Sequence, residues 1–528
     1  MKKPFIFVDE NNEDMNYPIG IQTFKDIRTD DFAYVDKTAH IYRMVSQGKC
    51  YFLSRPRRFG KSLLLSTMKA YFQGKKELFE GLAISQMEKE WKQYPVLHID
   101  LNTALYTTPE ALIRLLEFHF TRWEEEFGIH NTGEGISERF RNMIIQAAQQ
   151  SPEGKVVILI DEYDKPLLEA IGNPELQEEY RKILKAFYSN IKSCDEYIRF
   201  AFLTGVTKFS HLSIFSGLNN LNDISMDEQF ADICGFTQHE METVFFEGIG
   251  EFAEKLKISR EEMLEQLKAL YDGYHFSSDL SVNVYNPFSL ISAMEKQRLS
   301  PFWFATGTPN FLAEVIKQRD YPLDQLTTEQ KTASELDAID AMYSDPIPLF
   351  FQSGYLTIKE YDPEFLTYRL DFPNKEVEQG FAQFMSVYYQ GRNRGGAFSI
   401  VNFVKSVRNG DVEEFMTLLQ AFYADGDYQV VGDREIYFQN SLSMLFRLMG
   451  FYTQVERHTS KGRMDVTIQT KDYVYILELK VDKSTEAALQ QIEEKQYAAP
   501  FAVDPRKLFK IGVCFSSEER SISQWRVA

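Results

Sequence analysis

The run Ser54-Arg55-Pro56-Arg57-Arg58-Phe59-Gly60-Lys61-Ser62 combines the residue types that hold phosphate. Backbone N–H groups of Arg58, Phe59 and Gly60, at the turn into a helix, can bind phosphate oxygens. The Lys61 ammonium can neutralise β- and γ-phosphates, and the Ser62 hydroxyl can ligate Mg²⁺. One departure stands out. The first glycine usual in such a loop is replaced by Arg55, where a tight turn favours glycine, and Pro56 has no N–H to donate. The competing reading is a chance Gly-Lys-Ser in a basic turn.

A second segment weighs against chance. Lys155-Val156-Val157-Ile158-Leu159-Ile160-Asp161-Glu162 is an apolar run that ends in two acids. Such a run reads as a central parallel strand, buried on both faces. Ligands of open α/β sheets bind at the carboxyl ends of strands. Asp161 is therefore expected to hold Mg²⁺, and Glu162 to orient and deprotonate the attacking water. A third apolar run, residues 197–205, ends in Thr204-Gly205. Thr204 is placed to sense a γ-phosphate beside the Asp161 strand; opening a turn is the competing role.

Another constellation lies near the end of the chain. Gly462-Arg463-Met464-Asp465 is followed by Tyr473-Val474-Tyr475-Ile476-Leu477-Glu478-Leu479-Lys480. The flanking runs predict a β-hairpin. A two-residue turn at Lys471-Asp472 sets Asp465 opposite Glu478, with Cβ atoms about 4.5–5.5 Å apart. Two carboxylates at that separation can share a Mg²⁺ ion. Glu478 and Lys480 are two apart and point to one face, while Leu479 points to the other layer. Two hard oxygen ligands beside an ammonium suit metal-assisted phosphodiester hydrolysis. Lys480 would position the water or stabilise transition-state charge. Glu435, opening a helix over 436–449, is a further candidate ligand, and Gln491 and Tyr497 on a helix over 487–497 are candidate supports. The bland alternative is an edge hairpin with a solvated charge cluster.

These residues need elements to position them. The strand over 50–53 and a helix over 63–72 flank the loop. A helix over 39–47 precedes it, a strand over 96–101 separates the two phosphate motifs, and helices over 108–127 and 137–149 surround that strand. Strands alternating with helices imply a parallel sheet. From about residue 238 the pattern turns helical, with helices over 240–252 and 260–271. Aromatic turns at 271–276 and 284–289 read as packing corners of a lid. A strand-rich stretch, 349–372, follows, and Gly391-Arg392-Asn393-Arg394-Gly395-Gly396 reads as a linker.

The chain has 528 residues, 44 % hydrophobic and 26 % charged, the composition of a globular protein of several domains. The absence of an apolar run near the roughly 20 residues of a membrane span argues against a membrane partner. Cys50, Cys194, Cys234 and Cys514 show neither metal spacing nor a disulfide framework, which fits a reducing cytoplasm. The net charge is −19, yet residues from Gly391 onward hold 18 basic and 18 acidic side chains, so the acidic excess lies wholly upstream. Overall acidity argues against indiscriminate nucleic-acid binding and leaves room for a local basic groove at the balanced end.

Arg55 to Ser62, Asp161-Glu162-Tyr163-Asp164 and Phe202-Leu203-Thr204-Gly205-Val206, with the two aromatic turns, resemble the AAA-ATPase-like family of bacterial proteins. Glu435, Gly462-Arg463-Met464-Asp465, Glu478-Leu479-Lys480 and Gln491-Ile492 resemble the PD-(D/E)XK nuclease domain commonly fused to it, although Met464 stands where proline is expected. The resemblance spans about residues 17–525. It implies an α/β chain: an AAA+-like P-loop ATPase domain with a parallel sheet (1–237), a helical lid and connecting region (238–390), and a restriction-endonuclease-like α/β domain (391–528). It implies ATP and Mg²⁺ as cofactors, with Mn²⁺ an alternative at the nuclease site. Ser62 and Asp161 would be metal ligands of the first site, and Glu435, Asp465 and Glu478 of the second. The expected function is an ATP-dependent or ATP-regulated nuclease acting on DNA rather than RNA. The alternative is a nucleotide-switched sensor or scaffold whose nuclease fold only binds nucleic acid. A homo-oligomer would let a neighbour supply an arginine finger; Arg57, Arg58 and Arg199 are the candidates within the chain.

Overall fold

The computed structural model describes residues 15–528 except 130–132, 209–213, 216–219, 306–320, 322, 324, 338–344, 391–398, 425–443, 448–449, 451–453, 461–462 and 520. The chain forms two compact units, residues 1–306 with 329–376, and residues 307–328 with 377–528. The linker expected at 391–396 lies outside the described residues.

The first unit is built on five parallel strands: β1 (Cys50–Ser54), β2 (Val96–Asp100), β3 (Val156–Asp161), β4 (Ile198–Gly205) and β5 (Asn222–Asp223). Their order is β2-β3-β4-β1-β5. Thus β4 lies between the strand that leads into the phosphate loop and the strand that ends in Asp161. All residues of β1 and β3 are buried, as their unbroken apolar runs require of strands covered on both faces. The helix Pro109–Phe127 buries Leu112, Leu116, Phe120 and Trp123, and Phe140 of the helix Ile136–Ala148 stacks on Phe187 with centroids 4.1 Å apart.

Beyond the sheet, the helices Gln238–Val244, Phe246–Leu256, Arg260–Tyr271 and Pro287–Lys296 share one core. The single helix expected over 240–252 is broken at Phe245 (φ −103°, ψ 20°). The break buries the Phe245 ring against Tyr17 and Phe236. A capping box of Thr237 and Glu240 starts the first of the pair. The strand-rich stretch also opens differently. Residues Ile347–Gln352 form a short helix, started by proline, before the antiparallel strands β6 (Gln330–Thr332), β7 (Thr357–Asp362) and β8 (Thr367–Asp371), ordered β6-β8-β7.

The second unit holds a mixed sheet of β9 (Gln454–Ser460), β10 (Arg463–Gln469), β11 (Tyr473–Val481), β12 (Lys507–Ser516) and β13 (Ser521–Val527). β11 and β12 are parallel; the remaining pairs are antiparallel. Alternation divides its faces. Tyr475, Leu477 and Leu479 enter the core that includes Phe403, Val407, Phe415 and Leu419 of the helices Ile400–Asn409 and Val412–Ala424. Glu478 and Lys480 belong to the opposite face, beside the helix Thr485–Glu494. Gly512 permits that helix to approach. A Cβ there would lie 2.5 Å from the Thr485 carbonyl oxygen, closer than atoms pack.

Candidate functional site

The carboxyl ends of β1, β3 and β4 bring the first set of residues together. Asp161 closes β3, and both its oxygens are engaged. Oδ2 accepts from the Ser62 hydroxyl at 2.5 Å, and Oδ1 from the Thr204 hydroxyl at 2.7 Å. Ser62 is there because the helix Lys61–Phe72 begins at Gly60, whose φ of 92° is left-handed. Arg58 is also left-handed, at φ 69°. Such reversals make backbone N–H groups converge into an anion-binding concavity. Lys61 is buried, and its Nζ donates to the carbonyls of Arg55 at 3.0 Å and Pro56 at 3.2 Å, with Glu162 Oε1 3.5 Å away. Glu162 itself has φ 55°, a left-handed turn immediately beyond the strand.

Arg55, the residue in place of glycine, is a buried bracket rather than a turn maker. Its Nη1 donates to the carbonyls of Ser54 at 2.9 Å and Ser225 at 2.7 Å, and its Nη2 to that of Phe230 at 3.1 Å. Its guanidinium carbon lies 4.1 Å from the Phe276 ring centroid. Burial lowers its pKa to about 10, so it stays charged at neutral pH. Phe59 is not exposed at the loop. Its ring packs between Tyr274 (4.8 Å) and Phe276 (5.5 Å), so only its backbone can face a phosphate. Arg57 and Arg58 are exposed, with Arg58 stacked over Phe288 at 4.8 Å. Arg199 is at the amino end of β4, away from Thr204 at its carboxyl end, and bonds the Val45 carbonyl. That position removes it as an arginine finger for its own loop.

Three further residues had no role assigned from the sequence, although Asp164 stands within the Asp161-Glu162-Tyr163-Asp164 motif. Asp164 is fully buried and accepts from the backbone N–H groups of Val206 and Thr207 and from the Thr207 hydroxyl, which ties the Glu162 turn to the end of β4. Burial, reinforced by Glu162, raises its pKa to about 6. Asp100 ends β2 in register with Asp161, and burial raises its pKa. Trp303 donates from Nε1 to the Arg57 carbonyl at 3.0 Å. Its own N–H donates to Oε1 of Glu376 at 2.7 Å, and burial raises the Glu376 pKa to about 7. The signal for Asp164 was local, one turn past Asp161. Trp303 had none, since its contact spans 246 residues. The aromatic turns are more than lid corners: Tyr274, Phe276 and Phe288 all touch loop side chains.

The second set is assembled by β10 and β11. Asp465 is the direct register partner of Glu478, as the two-residue turn requires. Glu478 is wholly buried and pairs with the Lys480 ammonium. Lys480 Nζ also donates to Gln491 Oε1 at 2.6 Å, and Ser484 caps the helix that carries Gln491. Glu435 lies outside the described residues.

The donor sets suit hard cations. Ser62 with Asp161 in the first set, and Glu478 in the second, offer oxygen ligands. Among the described residues no group of three His, Cys, Asp or Glu side chains is arranged to hold a metal ion. One or two carboxylates completed by substrate phosphate is how Mg²⁺ is commonly held.

The family described as "Predicted AAA-ATPase" matches residues 18–215, and the PD-(D/E)XK nuclease superfamily matches residues 433–525. A relative from Azotobacter chroococcum mcd 1, named "Uncharacterized protein in vnfD 5'region", is 35 % identical over 518 residues, spanning 96 % of this chain and 97 % of its own. The chain belongs to the AAA-ATPase-like family with a C-terminal PD-(D/E)XK nuclease-superfamily domain. In this AAA-ATPase-like protein the first match encloses the loop, Asp161 and Thr204, and the second encloses Asp465, Glu478, Lys480 and Gln491. No helix among the described residues is long and apolar enough to cross a membrane.

Proposed function

We propose that the protein is an ATP-dependent or ATP-regulated, metal-dependent nuclease acting on DNA. The supporting observation is that each matched region holds its own hydrogen-bonded cluster of phosphate-chemistry residues: Ser62–Asp161–Thr204 in one, Glu478–Lys480–Gln491 in the other. In the first, Arg58, Phe59 and Gly60 offer backbone N–H groups, and Lys61 exchanges its loop carbonyls for β/γ-phosphate oxygens. Glu162 holds and deprotonates the attacking water, and Thr204 reads the γ-phosphate. Ser62 and Asp161 hold Mg²⁺.

In the second, Asp465 and Glu478 hold Mg²⁺ or Mn²⁺, with Glu435 a further candidate ligand. Lys480 orients the attacking water and stabilises charge on the phosphate, and Gln491 fixes the Lys480 ammonium. When bound, the divalent ion supplies Lewis-acid charge that polarises phosphate and acidifies water. The partners are a nucleotide, nucleic acid with DNA preferred over RNA, and further copies of the chain, in which Arg57, Arg58 or Arg199 can serve a neighbour. The setting is cytoplasmic, and the division at 237 and 390 separates ATPase, lid and nuclease.

The test is cleavage of plasmid DNA, single-stranded DNA and RNA with Mg²⁺ or Mn²⁺, with and without ATP, by the full chain and its Lys61→Ala and Lys480→Ala variants. Metal-dependent DNA cleavage lost in the Lys480 variant supports the reading; cleavage equal in both chains overturns it. Complete burial of Glu478 favours one alternative, a nucleotide-switched sensor or scaffold whose nuclease fold only binds nucleic acid. Nucleic-acid binding without cleavage under every metal condition would establish that alternative.

A further inference from the structure

The phosphate loop is oriented from far along the chain. The Arg57 carbonyl accepts from Trp303 Nε1 at 3.0 Å. A trans peptide is planar, with C=O and N–H pointing oppositely. Fixing the Arg57 carbonyl therefore fixes the Arg58 N–H on the side away from Trp303. Arg58 is one of the two left-handed residues of the loop, with Gly60.

Trp303 is held firmly enough to serve as a reference point. Its backbone N–H donates to both Ser289 Oγ at 3.1 Å and Glu376 Oε1 at 2.7 Å. Its ring packs on Tyr355 with centroids 5.1 Å apart, and only 6 % of the residue is exposed. Burying an indole N–H demands an acceptor, and here the acceptor is a backbone carbonyl of the loop itself. We propose that Trp303 is a positioning residue of the nucleotide site, holding the Arg57–Arg58 peptide so that the Arg58 N–H faces the phosphates of a bound nucleoside triphosphate. The inference rests on the nucleotide reading of the loop. Ser289 and Glu376 set where the indole stands, so helix Pro287–Lys296 and the residues around 376 register the state of the loop.

The test uses the full chain, Mg²⁺ and the slowly hydrolysed analogue ATPγS. Trp303→Phe keeps aromatic bulk and removes the donor. Its Kd for ATPγS should rise about tenfold, the weight of one well-placed hydrogen bond. ATPγS should also change the tryptophan emission of the wild type, and that change should vanish in the variant. An unchanged Kd, or an emission change that survives in Trp303→Phe, overturns the inference while leaving the nucleotide reading intact. A calorimetric titration silent for the wild type overturns both. Should circular dichroism show the variant unfolded, the wild-type emission decides: no response to ATPγS defeats the proposal.

Discussion

The Ser62 hydroxyl stands 2.5 Å from Oδ2 of Asp161, 99 residues further along the chain. The pair joins the helix after the loop to the end of β3. Thr204 completes it from β4, the strand between. A hydroxyl, a carboxylate and a second hydroxyl in one hydrogen-bonded row form an oxygen-lined seat beside Lys61.

Lys61 is buried against loop carbonyls, with no bulk water to replace a lost charge. Lys61→Ala should abolish detectable nucleotide binding, measured by calorimetry with ATPγS. Retention of tight binding would refute the site.

Lys480 is the counter-charge of a wholly buried Glu478. Lys480→Ala should reduce metal-dependent cleavage by roughly 100-fold or more, the scale of removing one preorganised charge from a transition state. ATPγS affinity should not change. Stability should also drop, on the order of 3 kcal/mol, because Glu478 keeps its burial without its partner. Cleavage rates and urea midpoints measured on one preparation separate the two effects.

Arg55→Gly restores the glycine that phosphate loops usually carry, yet it should weaken this protein. The change strips hydrogen bonds from the Ser225 and Phe230 carbonyls and removes the guanidinium stacked on Phe276. A loss of about 3 kcal/mol is expected for buried carbonyls left without donors, read from urea denaturation. A variant as stable as the wild type, with tighter ATPγS binding, would show that the arginine merely occupies a glycine position.

Two buried carboxyls set a pH dependence. Glu376 rises from the ordinary 4.5 to about 7, and Asp164 from 3.8 to about 6, both chiefly through burial. Each folded-state group holds its proton more tightly than the unfolded chain does. Their contribution is therefore full below about pH 4 and is lost as pH rises through 6 to 7. For Glu376 the span amounts to on the order of 3 kcal/mol. Glu376→Gln should flatten that portion of the stability–pH curve between pH 5 and 7, read from urea titrations, and an unaltered slope would contradict the shift.

What the sequence disclosed follows the range of the physics involved. Asp465 opposite Glu478 was legible because strand alternation and a two-residue turn determine register locally. Asp161 and Thr204 were legible because apolar runs ending in polar residues mark strand ends. The bracket made by Arg55 was hidden, since its acceptors are backbone carbonyls 170 and 175 residues away, which carry no side-chain signature. The break at Phe245 was hidden as well. Helical periodicity continues across it, and the kink is rewarded by distant partners, the rings of Tyr17 and Phe236.

Gly512 has no atom that could join any reaction, yet it sets the clearance beneath the helix carrying Gln491. A single methyl at that position would lift the helix and slacken the grip on the Lys480 ammonium. In a screen for inactive mutants, position 512 would masquerade as part of the cutting machinery. The distance between layers, not reactivity, would be what had been damaged.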